Sequence, residues 1–135
     1  AIKAGAQFIV TPVLDEEVVR FAMKKEVPVI PGVFIPSEML RAVNLGAPMI
    51  KLFPASVLGP AFIRDVKGPL SHIPIMTTGG ITLDTARDFL DAGAIAVGVG
   101  SALLRKDLID SEDWTQLTKE TRRWLEKLNI SRSTI

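Results

Sequence analysis

Five times in succession this chain passes from a short, continuous apolar run to a segment whose apolar residues recur about every 3.6 positions. The first run is Gln7–Thr11, ended by Pro12. A helix follows, capped by Asp15, with Val18, Val19, Phe21, Ala22 and Met23 on one face and Lys24-Lys25 at its end. Val27–Ile30 is the second run, closed by Pro31-Gly32, and Ser37 is the expected cap of a helix that Gly46 stops. Met49–Phe53 leads to Pro54, and Gly59-Pro60 opens a helix that Gly68-Pro69 terminates. Ile73–Met76 runs into Thr77-Thr78-Gly79-Gly80, then a helix from about Asp84 to Gly93. Ala94–Gly100 is the fifth run, followed by a helical turn over Ser101–Leu104. A longer helix, capped by Asp110 or Ser111, carries Trp114, Leu117, Thr121, Trp124, Leu125 and Leu128, with the two tryptophans expected to share a packing face.

Runs without polar alternation are strands buried on both faces, the signature of a parallel sheet. Regular strand–helix alternation therefore predicts one α/β domain over 1–135, with five βα units in 1–104 and a helical region in 105–135. Two architectures satisfy this pattern: an arc of a closed (β/α)8 barrel, or an open doubly wound sheet. The 135 residues are ample for a core. With no cysteine in the chain, disulfide frameworks, cysteine-ligated metals and thiol nucleophiles are excluded. A net charge of +1, with basic and acidic residues interspersed, gives no footprint for nucleic acid or an anionic membrane. Neither a signal-peptide pattern nor an apolar stretch of spanning length is present in these residues.

In both architectures chemistry gathers at the carboxyl ends of the strands. Lys51 is the most informative residue there, because it interrupts an apolar strand, with Ile50 and Leu52 on the opposite face. Enclosure on a barrel axis would disfavour its ammonium form, and a free amine attacks a carbonyl to give a Schiff base. The competing explanation is a strand-end lysine that reaches solvent or pairs with a carboxylate. Thr78-Gly79-Gly80 and Gly100-Ser101 each join a strand to a helix. Glycine lets backbone N–H groups approach an anion, so the two loops together point to phosphate, although each alone is compatible with simple turn chemistry. His72, the only histidine, falls at the opposite end of its strand, and no carboxylate stands at any strand end. Asp15, Glu38 and Asp84 are accounted for as helix-start residues.

Ile50-Lys51-Leu52-Phe53-Pro54-Ala55, Thr78-Gly79-Gly80-Ile81 and Val97-Gly98-Val99-Gly100-Ser101 resemble the bacterial 2-keto-3-deoxy-6-phosphogluconate (KDPG) and 4-hydroxy-2-oxoglutarate (KHG) aldolases, as do Gly5–Pro12 and Val29–Val33. The likeness runs from Gly5 to about Leu104. It implies a (β/α)8 TIM barrel of which this chain supplies about strands four to eight, in a cytoplasmic homotrimer of carbohydrate metabolism. It further implies class I aldol cleavage of a phosphorylated keto acid with no metal or other cofactor. Lys51 would be the Schiff-base residue; Pro12, Phe53 and Thr78 would contact substrate; Gly79, Gly80, Gly100 and Ser101 would hold its phosphate. In the family, the general-base glutamate and the groups that bind the pyruvate carboxylate come from the first three strands, so these 135 residues alone are expected to have absent or residual lysine chemistry. Thr77 stands where the family often has proline, a departure expected to tune substrate preference. The alternatives are a phosphate-binding barrel related to thiamine phosphate synthase, or a non-catalytic α/β domain that binds a phosphorylated ligand.

Overall fold

The computed structural model describes residues 1–129. The end of the expected C-terminal region, residues 130–135, lies outside the described residues. Its elements, in order, are β1 (Ile9–Val10), α1 (Glu16–Met23), β2 (Val29–Ile30), β3 (Gly32–Val33), α2 (Pro36–Asn44), β4 (Ile50–Leu52), α3 (Ala55–Lys67), β5 (Ile75–Thr78), α4 (Ala86–Asp91), β6 (Ala96–Gly98), α5 (Lys106–Asp110) and α6 (Trp114–Lys127). Every strand pairing is parallel, β1 with β2 and then β3 through β6 in chain order. The second expected run holds β2, and past Pro31, where it was expected to close, the chain continues as β3; Pro31 has no N–H to give a neighbour, but its carbonyl accepts from the Lys51 N–H at 2.9 Å. Thus β2 pairs with β1, and β3 with β4.

Strand order settles the architecture. A doubly wound sheet reverses its order at a switch point and carries helices on both faces. Here the order is sequential, and burial marks one covered face. Ile50, Leu52, Ile75 and Thr77 are fully buried on the helix side, whereas Lys51, Met76 and Thr78, which alternate with them, are only partly buried. The chain is an arc of a (β/α) barrel, with its helices outside and its axial face open. Ile50, Leu52, Ile63, Ile73 and Ile75 form the centre of the layer between sheet and helices. Each contributes about 1.5–3 kcal/mol through burial. Val19, Ala22 and Val29 form a smaller core beneath β1 and α1.

Several boundaries differ from the sequence expectation for local reasons. The cap of α2 is Ile35 rather than Ser37: Pro36 opens the helix, and the Glu38 carboxylate accepts from the Phe34 and Ile35 N–H groups at 2.7 and 3.3 Å. Helix α3 begins at Ala55, before the expected Gly59-Pro60 start. Gly59, at φ 72° and ψ 172°, breaks the helix and Pro60 restarts it. Asp113, not Asp110 or Ser111, caps α6 by accepting from the Gln116 N–H at 2.9 Å, because Asp110 and Ser111 end the short α5. The two tryptophans do not share a face. Trp124 is buried, but Trp114 is 56% exposed. Ten positions of about 100° each leave them roughly 80° apart around the helix.

Thr77 is fully buried against the helices, and its hydroxyl has no hydrogen-bond partner among the described residues. A buried unpaired hydroxyl carries its desolvation cost with no return. Thr77→Val keeps the shape and removes that cost, so the variant is expected to be about 1 kcal/mol more stable, read as a higher midpoint in urea unfolding.

Candidate active site

The register sets Gly32, Lys51, Met76 and Ala96 side by side across β3–β6. Leu52 and Ile50 point into the helix layer, which turns Lys51 toward the open axial face. Lys51, Phe53, Thr78, Gly79, Gly80, Gly100 and Ser101 line one cleft of about 670 Å³ at the carboxyl ends of the strands. Seven of the eight residues proposed from sequence thus come together. Pro12 is the exception, lining an adjacent depression of about 290 Å³ that shares Phe53 with the cleft. Thr77 faces away from the cleft and does not line it, so its side chain has no direct route to substrate selection.

The two glycine loops make the polar wall. Gly79 and Gly80 have φ of 88° and 71°, a left-handed pair that side chains resist. A β-carbon on Gly80 would fall 2.3 Å from Ser56 Oγ, and the Ser56 N–H donates to the Gly79 carbonyl at 3.1 Å. The loop is thereby seated on the first turn of α3. The backbone N–H groups of Gly80, Ile81, Gly100 and Ser101 donate to no other described residue, which leaves four donors around the cleft for an anion. Thr78 Oγ1 is likewise buried without a partner. At the start of α4, Thr82 lines the cleft and exchanges hydrogen bonds with Thr85: the Thr82 N–H donates to Thr85 Oγ1 at 3.0 Å and the Thr85 N–H to Thr82 Oγ1 at 3.3 Å. Asp84, in the same loop, pairs with Lys127 of α6, whose hydrogen bond and charge hold the Asp84 carboxyl below the usual range.

Lys51 is half-buried, with Nζ 4.6 Å from the centroid of the Phe53 ring. Among the described residues it joins no ion pair, which removes the carboxylate-paired explanation for its place in the strand. Among the described residues no aspartate, glutamate or histidine lines the cleft. His72 is exposed in the loop that precedes β5, away from the strand ends. Glu38, read from sequence only as a helix-start residue, lines the adjacent depression with its carboxylate bound to backbone N–H groups. Met76 was missed as a lining residue, although the signal was present: it precedes Thr78 by two positions and therefore shares its face. Among the described residues no cluster of histidine, aspartate or glutamate has the arrangement of a metal site, and no helix is long and apolar enough to cross a membrane.

Comparison with known proteins supplies the context for this geometry. A family model described as KDPG and KHG aldolase matches residues 1–120. The chain belongs to the KDPG and KHG aldolase family. One relative, a 2-dehydro-3-deoxy-phosphogluconate aldolase of Pseudomonas aeruginosa, is 40% identical over 128 residues, covering 94% of this chain and 58% of its own length. A solved structure of native KDPGal superposes with a TM-score of 0.80 at 32% identity, covering 94% of this chain and 62% of that one. A KDPG aldolase from Legionella pneumophila, solved with pyruvate captured as a covalent carbinolamine intermediate, gives 0.79 at 25% identity, covering 96% and 61%. The chain thus spans about 58% of the length of the Pseudomonas relative. As a member of the KDPG and KHG aldolase family it is a barrel arc with a lysine in the cleft, and the stand-alone open α/β domain is set aside.

Proposed function

We propose that this chain carries the lysine and phosphate-binding part of a class I aldolase. Its substrate is a 2-keto-3-deoxy-6-phospho sugar acid, cleaved to pyruvate and glyceraldehyde 3-phosphate, with 4-hydroxy-2-oxoglutarate cleaved to pyruvate and glyoxylate by the same chemistry. The observation that carries the reading is the placement of Lys51 and both loops of unpaired N–H donors on one cleft. The Lys51 amine adds to the 2-keto carbon, and loss of water from the carbinolamine leaves an iminium. A base removes the C4 hydroxyl proton, the C3–C4 bond breaks, and its electron pair passes into the iminium to form an enamine as the aldehyde leaves. Protonation at C3 and hydrolysis release pyruvate and restore the amine.

The loops hold the remote phosphate through backbone donors and the Ser101 hydroxyl, which fixes the reacting end over Lys51. Thr78 lines the same cleft, and its role in this reading is contact with a substrate hydroxyl. The described lining contains no general base, so the reading assigns proton transfer to a group outside it, and these 135 residues alone are assigned little or no cleavage activity. A cytoplasmic homotrimer belongs to the same proposal, supported by the family alone. Incubation of the full-length protein with pyruvate and borohydride is expected to add one reduced pyruvate to Lys51, located by peptide mass spectrometry. Label elsewhere, or none, refutes the assignment.

A further inference from the structure

Ser56 is the second residue of α3, so its N–H lies in the first turn, where no carbonyl of the helix itself accepts it. It donates instead to the Gly79 carbonyl at 3.1 Å. The Gly79–Gly80 peptide is trans, and a trans peptide points its carbonyl and its N–H in opposite directions. Holding the Gly79 carbonyl on α3 therefore turns the Gly80 N–H away from α3. Gly79 and Gly80 line the cleft and Ser56 does not, so this direction is toward the cleft. The Gly80 N–H is one of the donors that no described residue occupies. The Ser56 side chain sets the clearance beneath the same peptide. A β-carbon on Gly80 would fall 2.3 Å from Ser56 Oγ and 2.5 Å from Ser56 Cβ, and one on Gly79 would fall 3.1 Å from Pro54 Cα. The segment that leaves the lysine strand is thus the bed on which both glycines lie.

We infer that Ser56 is a positioning residue for the glycine loop. Its N–H and its small side chain fix the Gly79–Gly80 peptide with the Gly80 N–H presented to the cleft, which favours phosphorylated over unphosphorylated keto acids. This rests on the reading of the glycine loops as the phosphate site. Ser56 itself touches no substrate; it acts through Gly80. A second γ-substituent at position 56 presses on the Gly80 backbone, lifts the loop and turns the donor out of line, and a hydrogen bond to an anion weakens steeply when its donor is misaligned.

The test compares two substrates in the full-length protein: the 2-keto-3-deoxy-6-phospho sugar acid, and 4-hydroxy-2-oxoglutarate, which carries no phosphate. Ser56→Val is expected to raise KM for the phosphorylated substrate by roughly 10- to 100-fold, the scale of one hydrogen bond to a charged group. Cleavage of 4-hydroxy-2-oxoglutarate is expected to stay within about twofold of the parent, which also reports that the variant is folded. Ser56→Thr should move KM the same way by less, whereas Ser56→Ala, which keeps the N–H and the β-carbon, should retain the parental preference. Competitive inhibition by inorganic phosphate should weaken in Ser56→Val in step with KM. An unchanged preference in Ser56→Val, an equal loss on both substrates, or a preference lost in Ser56→Ala overturns the inference and leaves the aldolase reading intact. No cleavage of either substrate by the unsubstituted protein overturns both.

Discussion

Lys51→Met in the full-length protein is expected to lower kcat/KM for aldol cleavage by on the order of 10^4- to 10^6-fold, the scale on which loss of a covalent nucleophile is felt. Methionine matches the lysine stem in length and suits the surroundings, since Met76 is the register neighbour on one side and the Phe53 ring lies over the nitrogen position. Lys51 pairs with no carboxylate among the described residues, so its removal leaves no buried charge without a partner. The melting temperature should accordingly stay close to that of the parent. Coupled detection of pyruvate gives the rate, and a thermal scan gives the fold. Activity within tenfold of the parent would take the reaction off Lys51 and return the chain to a phosphate-binding barrel of another chemistry.

Lys51 was legible because of contrast. One charged residue inside Met49–Phe53 has no packing role that an apolar residue would not fill better, and period-two alternation turns it away from the buried pair Ile50 and Leu52. The glycine loops were legible for a related reason, since consecutive glycines between a strand and a helix mark backbone that a side chain would obstruct. The Gly79 and Gly80 angles and the contact of Gly80 with Ser56 give that obstruction its geometry.

What escaped the sequence is mostly non-local. Strand order decides between arc and open sheet, and the apolar runs are identical in both because pairing partners lie tens of residues apart, so the barrel was legible only through the family resemblance of the lysine strand and glycine loops. The continuation of the chain past Pro31 as β3 depends on which edge each of β2 and β3 offers to β1 and β4. Helix α5 was missed because five residues hold too little periodicity to read, and its presence moved the cap of α6 to Asp113. Glu38 was understood as a helix-start residue, which it is. Its position beside Pro12 and Phe53 follows only from the way the loop after β3 folds back. The resemblance placed Pro12 with the cleft, and its separation into the neighbouring depression goes with a close backbone approach of the loop after β1 to β3, which spacing does not encode.

The contact behind that separation gives the second large expected effect. Gly32 is buried in β3 where the loop after β1 crosses it, and a β-carbon there would lie 2.1 Å from the Pro12 carbonyl oxygen, 2.3 Å from its carbon and 2.8 Å from the Val13 nitrogen. All three are backbone atoms, so no rotamer change relieves the overlap. Gly32 also pairs with Lys51 across the ladder, so β3 cannot retreat without disturbing the strand that carries the amine. Gly32→Ala is therefore expected to cost about 3 kcal/mol or more, a fall of roughly 10 °C or more in melting temperature for a chain of this size. Gly100→Ala is the matched control. Nothing lies within 4 Å of its β-carbon position and its φ is not in the left-handed region, so its stability should stay within about 0.5 kcal/mol of the parent. If Gly32→Ala melts as late as Gly100→Ala, the β1 loop does not rest on β3, and Pro12 is free to reach the cleft that this contact now keeps it from.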